Sequence, residues 1–379
     1  MHDGPVVVVA GGGTGGHLYP ALALADALRA RRPDVRVLFV GAQRGLEARI
    51  LPERGEWHEL LPVRGFDRSR PTRALGSVFA LLRSLVRARA LLRNHRPEVV
   101  VVTGGYAAAP AGIVAALGGV PLVLQEQNSV PGWVTRALSR WAQRAYLAYP
   151  EVEAKLPRLA GRALQTGNPV RVGDARPRTA TRAAFGVPAD ARLIVVAGGS
   201  QGSLALNNVV ADIVRAVSSR ALGRPDDVHV LWVSGHAHVD AVARVVAECG
   251  SPNWVHVVPY LNDMPSALAA ADLALSRAGA MSTAELLIRG LPAILVPLPT
   301  AAADHQTANA RSLERAGAAV LLQQSGLTAA SLWATVTELL GSSERMAEMR
   351  RAALALARPG AADEIAADLE TFLRARGVR

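Results

Sequence analysis

At 379 residues the chain is too long for one ordinary core and implies two domains, and with half its residues hydrophobic and 19% charged it cannot be disordered. A single cysteine, Cys249, excludes an internal disulfide framework and reads as a packing residue near a helix end. The net charge of +11 is nearly all arginine, since Lys155 is the only lysine; it suits a phosphorylated substrate or an anionic membrane surface, while 4% aromatic content and scattered arginines argue against nucleic acid.

In chain order, no signal-peptide pattern precedes the first strand, Val6–Ala10. That strand runs into Gly11-Gly-Gly-Thr-Gly-Gly16, and a helical pattern follows to Arg31. Glycine backbone can lie directly against an anion, and the first N–H groups of a helix lack internal partners. The segment therefore reads as a phosphate loop, the plainer reading being a tight strand-to-helix turn. Gly11, Gly13 and Gly16 also fit the dinucleotide fingerprint. That reading needs an acid ending the second strand, but Arg36–Val40 leads into Gly41 and the next acid is Glu47.

Between Arg73 and Arg93, Leu75, Val78, Phe79, Leu82, Leu85 and Val86 recur at helical spacing. Arg83 and Arg87 lie off this stripe, and Arg89 and Arg93 near its end. The helix is either core-facing with a solvated rim or docked on an anionic bilayer. The longest uncharged stretch, Val99 to Gln125, is broken by Gly104, Gly105, Pro110, Gly118, Gly119 and Pro121. It reads as strand, loop, helix, turn and strand rather than a membrane span.

Pro and Gly in Thr166-Gly-Asn-Pro-Val-Arg171 and in Arg176-Pro-Arg178 mark a linker. The opening pattern then restarts in Leu193-Ile-Val-Val-Ala-Gly-Gly-Ser-Gln-Gly202, with a helix over Ala205–Val217. Further strands are expected at Val228–Val233, Val255–Val257, Leu273–Leu275 and Ala293–Val296, many of them the continuous apolar runs of parallel sheets. The fold class is α/β: two Rossmann-like doubly wound domains facing across a cleft, spanning 1–165 and 166–360. A terminal helix within 361–379 is assigned to the first domain. Ligands are expected at the strand C-terminal ends.

Six motifs now stand in order: Gly12-Gly-Thr-Gly-Gly-His17, Gly104-Gly-Tyr106, Glu126-Gln-Asn128, Gly167-Asn-Pro-Val-Arg171, Gly198-Gly-Ser-Gln-Gly202 and Gly279-Ala-Met-Ser-Thr-Ala-Glu285. Together they resemble the motif set of the MurG family, glycosyltransferases of family 28 with the GT-B fold. The resemblance departs at Gln125, where His often precedes the Glu, at Ala108, where Ser is common, and at Ala278, where Ser is usual.

The resemblance implies inverting transfer of N-acetylglucosamine from UDP-GlcNAc to the muramyl 4-hydroxyl of lipid I, giving lipid II at the cytoplasmic face of the membrane. Another sugar-nucleotide enzyme of the same fold, such as a UDP-GlcNAc 2-epimerase or a small-molecule glycosyltransferase, is the alternative. Donor contacts are implied at Thr14, Gly15, Gly16, Asn128, Arg171, Ser200, Leu261, Ala280, Met281, Ser282, Thr283, Ala284, Glu285, Gln306 and Asn309. Glu285 is implied to hold the ribose, although Ser282-Thr-Ala-Glu285 also has capping-box spacing. Gly13, Gly104, Gly105 and Tyr106 are implied at the acceptor diphosphate. His17 is the candidate base, with a purely hydrogen-bonding role as its alternative, and Glu126 is the second candidate. No two aspartates are spaced two apart, so no cofactor and no protein-ligated metal are expected. His236 and His238 read as solvent-facing loop residues.

Overall fold

The computed structural model describes residues 4–65, 74–171, 173 and 175–377. The chain divides into two compact units, 1–171 with 358–379, and 172–357, so the boundaries fall a few residues from the 165 and 360 expected of the sequence.

The first unit alternates strands and helices: β1 (Val6–Gly11), α1 (Gly15–Arg31), β2 (Arg36–Ala42), α2 (Glu47–Glu53), β3 (His58–Leu61), α3 (Ala74–His95), β4 (Val99–Gly104), α4 (Ala109–Gly118), β5 (Leu122–Glu126), α5 (Trp133–Leu138), β6 (Arg144–Leu147) and β7 (Ala163–Gln165). All strand pairs are parallel, in the order β3-β2-β1-β4-β5-β6-β7. The central strands β1 and β4 are buried along their whole length, which is why they carry unbroken valine runs.

The second unit holds α6 (Arg178–Ala184), β8 (Arg192–Ala197), α7 (Leu204–Ser218), β9 (Val228–Val233), α8 (Val239–Glu248), β10 (Val255–Val258), α9 (Met264–Ala270), β11 (Leu273–Ser276), α10 (Ala280–Ile288), β12 (Ala293–Leu295), α11 (His305–Arg315), β13 (Ala319–Leu321), α12 (Ala329–Gly341) and α13 (Ser343–Leu356). Its parallel order, β10-β9-β8-β11-β12-β13, is that of a dinucleotide-binding sheet. In each unit the order reverses beside the first strand, between β1 and β4 and between β8 and β11. Crevices for ligands form outside the carboxyl ends of strands at such points.

The chain then returns to the first unit as α14 (Ala361–Gly377). Its Ile365, Leu369 and Leu373 join Leu22, Leu24 and Leu28 of α1 in one core. Asp368 accepts hydrogen bonds from the Tyr146 hydroxyl at 2.7 Å and from Arg144 Nε at 2.9 Å. Burial, reinforced by that carboxylate, raises the Tyr146 phenol above its ordinary range.

Helix α3 overturns the core-facing reading of its stripe. It buries small residues, Ser77, Ala80, Ser84 and Ala88, and leaves Val78, Phe79, Leu82 and Val86 in solvent, Phe79 69% and Val86 71% exposed. Arg73 and the side chain of Leu75, also expected there, lie outside the described residues. The short strands β3, β6, β7 and β13 escape a sequence reading, having only three or four residues each and little apolar run to betray them.

Candidate active site

In the first unit the loops leaving β1, β4 and β5 converge on His17. Its Nδ1 lies 3.0 Å from the Thr103 carbonyl oxygen and 3.1 Å from Gln127 Oε1. Both partners are acceptors, so the proton sits on Nδ1 and the Nε2 lone pair remains for a substrate hydroxyl. Thr103 in turn donates its hydroxyl to the His17 carbonyl at 2.8 Å, tying the start of α1 to the end of β4. Gly104 and Gly105 have φ of +97° and +76°. A Cβ at Gly104 would sit 2.8 Å from Nδ1, and one at Gly105 2.9 Å from Cδ2. These two glycines make room for the imidazole as well as for any phosphate.

The glycine loop is likewise partly filled by protein. A Cβ at Gly11 would strike Thr103 Oγ1 at 1.9 Å, one at Gly12 the Glu47 carboxyl at 2.3 Å, and one at Gly13 the Tyr106 ring at 2.8 Å. The Gly13 N–H is taken by Glu47, so Gly13 is not an open donor for the acceptor diphosphate. Only Gly16 meets nothing closer than 3.8 Å, and Thr14 is exposed at the head of α1. The ring of Tyr106 is half-buried, and burial, then Glu47, raises its phenol.

Glu126, the second candidate base, is 2% exposed and fully engaged. Oε1 accepts from the Asn128 N–H at 3.2 Å and its side-chain amide at 3.4 Å. Oε2 accepts from the Gly132 N–H at 3.0 Å and the Thr135 hydroxyl at 2.6 Å. With each oxygen accepting twice, it organises the Asn128 loop and the head of α5 rather than taking a substrate proton. Asn168 reaches the Gln127 carbonyl at 3.0 Å and accepts from Gln125 at 3.3 Å, explaining part of the Gly-Asn-Pro motif. Arg171 pairs with Asp26 of α1 inside this unit.

In the second unit the β8–α7 loop, Gly198–Gly202, exposes Gly199 and Ser200, with positive φ at Gly199 and Gly202. Ser203 caps α7. Arg277, at the end of β11, lies buried behind this loop. Its guanidinium donates to Ser203 Oγ at 2.7 Å, to the Val296 and Pro297 carbonyls at 3.1 and 3.0 Å, and to Gln324 at 2.7 Å. No carboxylate pairs with it among the described residues, and burial alone lowers its pKa. A buried, uncompensated cation at the carboxyl edge of a nucleotide-type sheet is a functional signal that the sequence could not supply.

Helix α10 begins at Ala280 without any side-chain cap, Gly279 standing at its N-cap. Glu285 is therefore in the second turn, which removes the capping-box alternative. Its carboxyl makes no hydrogen bond to the protein among the described residues. Burial pushes its carboxyl up to about 7 against the opposing pull of Arg289. Met281, Ser282 and Ala284 are half-buried on the same helix.

Two expected donor side chains turn inward instead. The Thr283 hydroxyl donates to the Gly279 and Ala280 carbonyls, and Asn309 is fully buried with its amide on the Ala278 carbonyl at 3.1 Å. Asn309 thus supports the loop ahead of α10. Gln306 accepts from the Leu298 N–H at 3.0 Å. Leu261 follows β10 and is half-buried; beside it Tyr260, missed by the sequence reading, stacks on His236 with centroids 5.7 Å apart. His236 is thus solvent-facing but ring-stacked, and His238 stands at the N-cap of α8.

Residues 7–147 match the glycosyltransferase family 28 N-terminal domain and residues 193–365 the family's C-terminal domain. A relative from Salinibacter ruber, named UDP-N-acetylglucosamine–N-acetylmuramyl-(pentapeptide) pyrophosphoryl-undecaprenol N-acetylglucosamine transferase, is 45% identical over 96% of both chains. Among solved structures, Acinetobacter baumannii MurG superposes with a TM-score of 0.74 at 29% identity, covering 97% of this chain and 99% of its own. A Listeria monocytogenes structure described as a UDP-N-acetylglucosamine 2-epimerase, at 14% identity and a TM-score of 0.70 over 98% and 97% of the two chains, shares the fold alone.

Proposed function

Since the chain belongs to glycosyltransferase family 28, of GT-B fold, we infer that it moves N-acetylglucosamine from UDP-N-acetylglucosamine to lipid I. It is a hexosyltransferase whose product is lipid II, the building unit of peptidoglycan. The epimerase alternative rests on fold likeness only.

The chemistry is one displacement. The muramyl 4-hydroxyl attacks the anomeric carbon, UDP departs from the opposite face, and the configuration inverts. In our reading His17 Nε2 accepts the hydroxyl proton, a step worth about 10²–10⁴ in rate. The observation that carries this is the Nδ1 hydrogen bond to the Thr103 carbonyl, which leaves only Nε2 basic. The acceptor diphosphate is assigned to main chain from Thr14 to Gly16, with Gly104, Gly105 and Tyr106 alongside, which moves Thr14, Gly15 and Gly16 from the donor contacts that the resemblance implies to the acceptor side.

The donor pyrophosphate is assigned to Ser200 and the uncapped head of α10. Arg277 and the helix dipole supply positive potential as the leaving group gains charge. Ribose goes to Glu285 and uracil to the Tyr260–Leu261 main chain, with Gln306 toward the sugar.

No described helix is long and apolar enough to cross a membrane. A lipid-linked acceptor still requires contact with the bilayer. Helix α3 packs on α4 and α4 on α5. These neighbours carry exposed Val78, Phe79, Leu82, Val86, Leu117 and Trp133. A groove of about 420 Å³ between α3 and α4 has Arg89 and Arg93 among its lining residues. We assign this face to an anionic bilayer on the cytoplasmic side, where nucleotide sugars are available.

The test is incubation with labelled UDP-GlcNAc and a lipid I analogue. Wild type transfers label. His17→Ala should lose at least about 100-fold in kcat, and a loss under about tenfold would exclude His17 as the base.

A further inference from the structure

Among the glycines of the first unit lies an acid that the displacement does not use. Glu47, the first residue of α2, is completely buried. Its Oε1 accepts from the Ala42 N–H at 2.8 Å and the Gly13 N–H at 3.0 Å, and its Oε2 lies 2.8 Å from the same Gly13 nitrogen. Only main-chain N–H groups meet this carboxyl among the described residues. Three glycines clear the space for it: a Cβ at Gly12, Gly41 or Gly45 would lie 2.3, 2.4 or 2.2 Å from its side-chain atoms.

A carboxylate taking main-chain N–H groups in a glycine loop does what a phosphate oxygen does elsewhere. The Gly11–Gly13 half of the loop is thus occupied by the protein's own anion. We propose that Glu47 is a positioning and specificity-determining residue for the lipid-linked acceptor. It holds the turn in its binding shape before substrate arrives and confines the acceptor diphosphate to the donors from Thr14 onward. This rests on the assignment of that diphosphate to the first unit.

Two consequences have opposite signs. A preformed loop spares the ordering cost of binding. A fixed negative charge beside the site disfavours every anion, and free pyrophosphate most, since it carries more negative charge than the doubly esterified diphosphate of the acceptor. Glu47 thereby discriminates the intact acceptor from free pyrophosphate.

Inorganic pyrophosphate is the probe. In wild type it competes with the acceptor; competition with the donor alone would overturn the acceptor placement and this inference with it. Glu47→Gln removes the charge and keeps Oε1 on the Ala42 and Gly13 N–H groups, while its Nε2 replaces the oxygen 2.8 Å from the Gly13 nitrogen. Its inhibition constant for pyrophosphate against acceptor should fall roughly tenfold while the donor KM stays unchanged. Glu47→Ala should raise the acceptor KM by roughly tenfold or more, and millimolar formate, which fits the vacated space, should restore it. If wild type shows acceptor competition but Glu47→Gln alters neither the pyrophosphate constant nor the acceptor KM, the role of Glu47 is refuted. The Glu47→Gln result is decisive even if Glu47→Ala fails to fold.

Discussion

Glu285→Gln separates binding from folding. Burial lifts the native carboxyl from its ordinary 4.5 to about 7. At about 1.4 kcal/mol per pH unit, holding the ionised form costs the fold about 3 kcal/mol. The folded state binds this proton more tightly than the unfolded chain does. Stability from this group is therefore fully present below pH 4.5, declines between 4.5 and 7, and has been lost above 7. Gln carries no such slope. The variant should exceed wild type by about 3 kcal/mol at about pH 8 and by under about 1 kcal/mol at about pH 5. Binding runs the other way: an ionised carboxylate accepting two ribose hydroxyls is worth more than an amide, so the donor KM at about pH 8 should rise by roughly tenfold or more. In wild type that KM should fall as pH rises through about 7, and in the variant it should be flat. Urea denaturation at both pH values and donor titrations from about pH 6 to 9 measure this. A stability gap that does not widen with pH, or an unchanged donor KM, would refute the reasoning.

Gly104→Ala puts a methyl 2.8 Å from His17 Nδ1 at a φ of +97°. It should cost about 1–2 kcal/mol of stability and lower kcat by about 10²-fold, read by denaturation and steady-state rates. Arg277→Met removes the buried cation behind the Ser200 loop; kcat should fall about 10–100-fold, and Arg277→Lys should not restore it, because an ammonium cannot serve four acceptors at once. A kcat within about threefold of wild type would remove Arg277 from the mechanism. Phe79→Glu with Val86→Glu should abolish sedimentation with anionic vesicles while leaving the circular dichroism spectrum intact; unchanged vesicle binding would rule out the α3 face.

The chain's architecture is legible because buried parallel strands demand unbroken apolar runs, and Val6–Ala10 and Val99–Val102 supply them. Edge strands such as Ala163–Gln165 are not, since three residues carry no period. His17 can be picked out as the residue ending a glycine loop, but the tautomer that makes Nε2 the base depends on Thr103, 86 positions away. Glycine clusters read as phosphate space, yet at Gly12, Gly41 and Gly45 the space is for Glu47, a long-range fit invisible in a linear string. Asn309 and Thr283 match motif positions whose side chains face inward. Conversely, Arg277 looks like one arginine among 41 until burial without a counter-ion sets it apart.

The return of α14 to α1 has a consequence during synthesis. A ribosome delivers residues 1–171 before Ile365, Leu369 and Leu373, so the face of α1 that packs on α14 stays uncovered until then. The second unit is contiguous and can close as soon as residue 357 emerges. The unit whose synthesis starts first is therefore completed second, when α14 reaches α1.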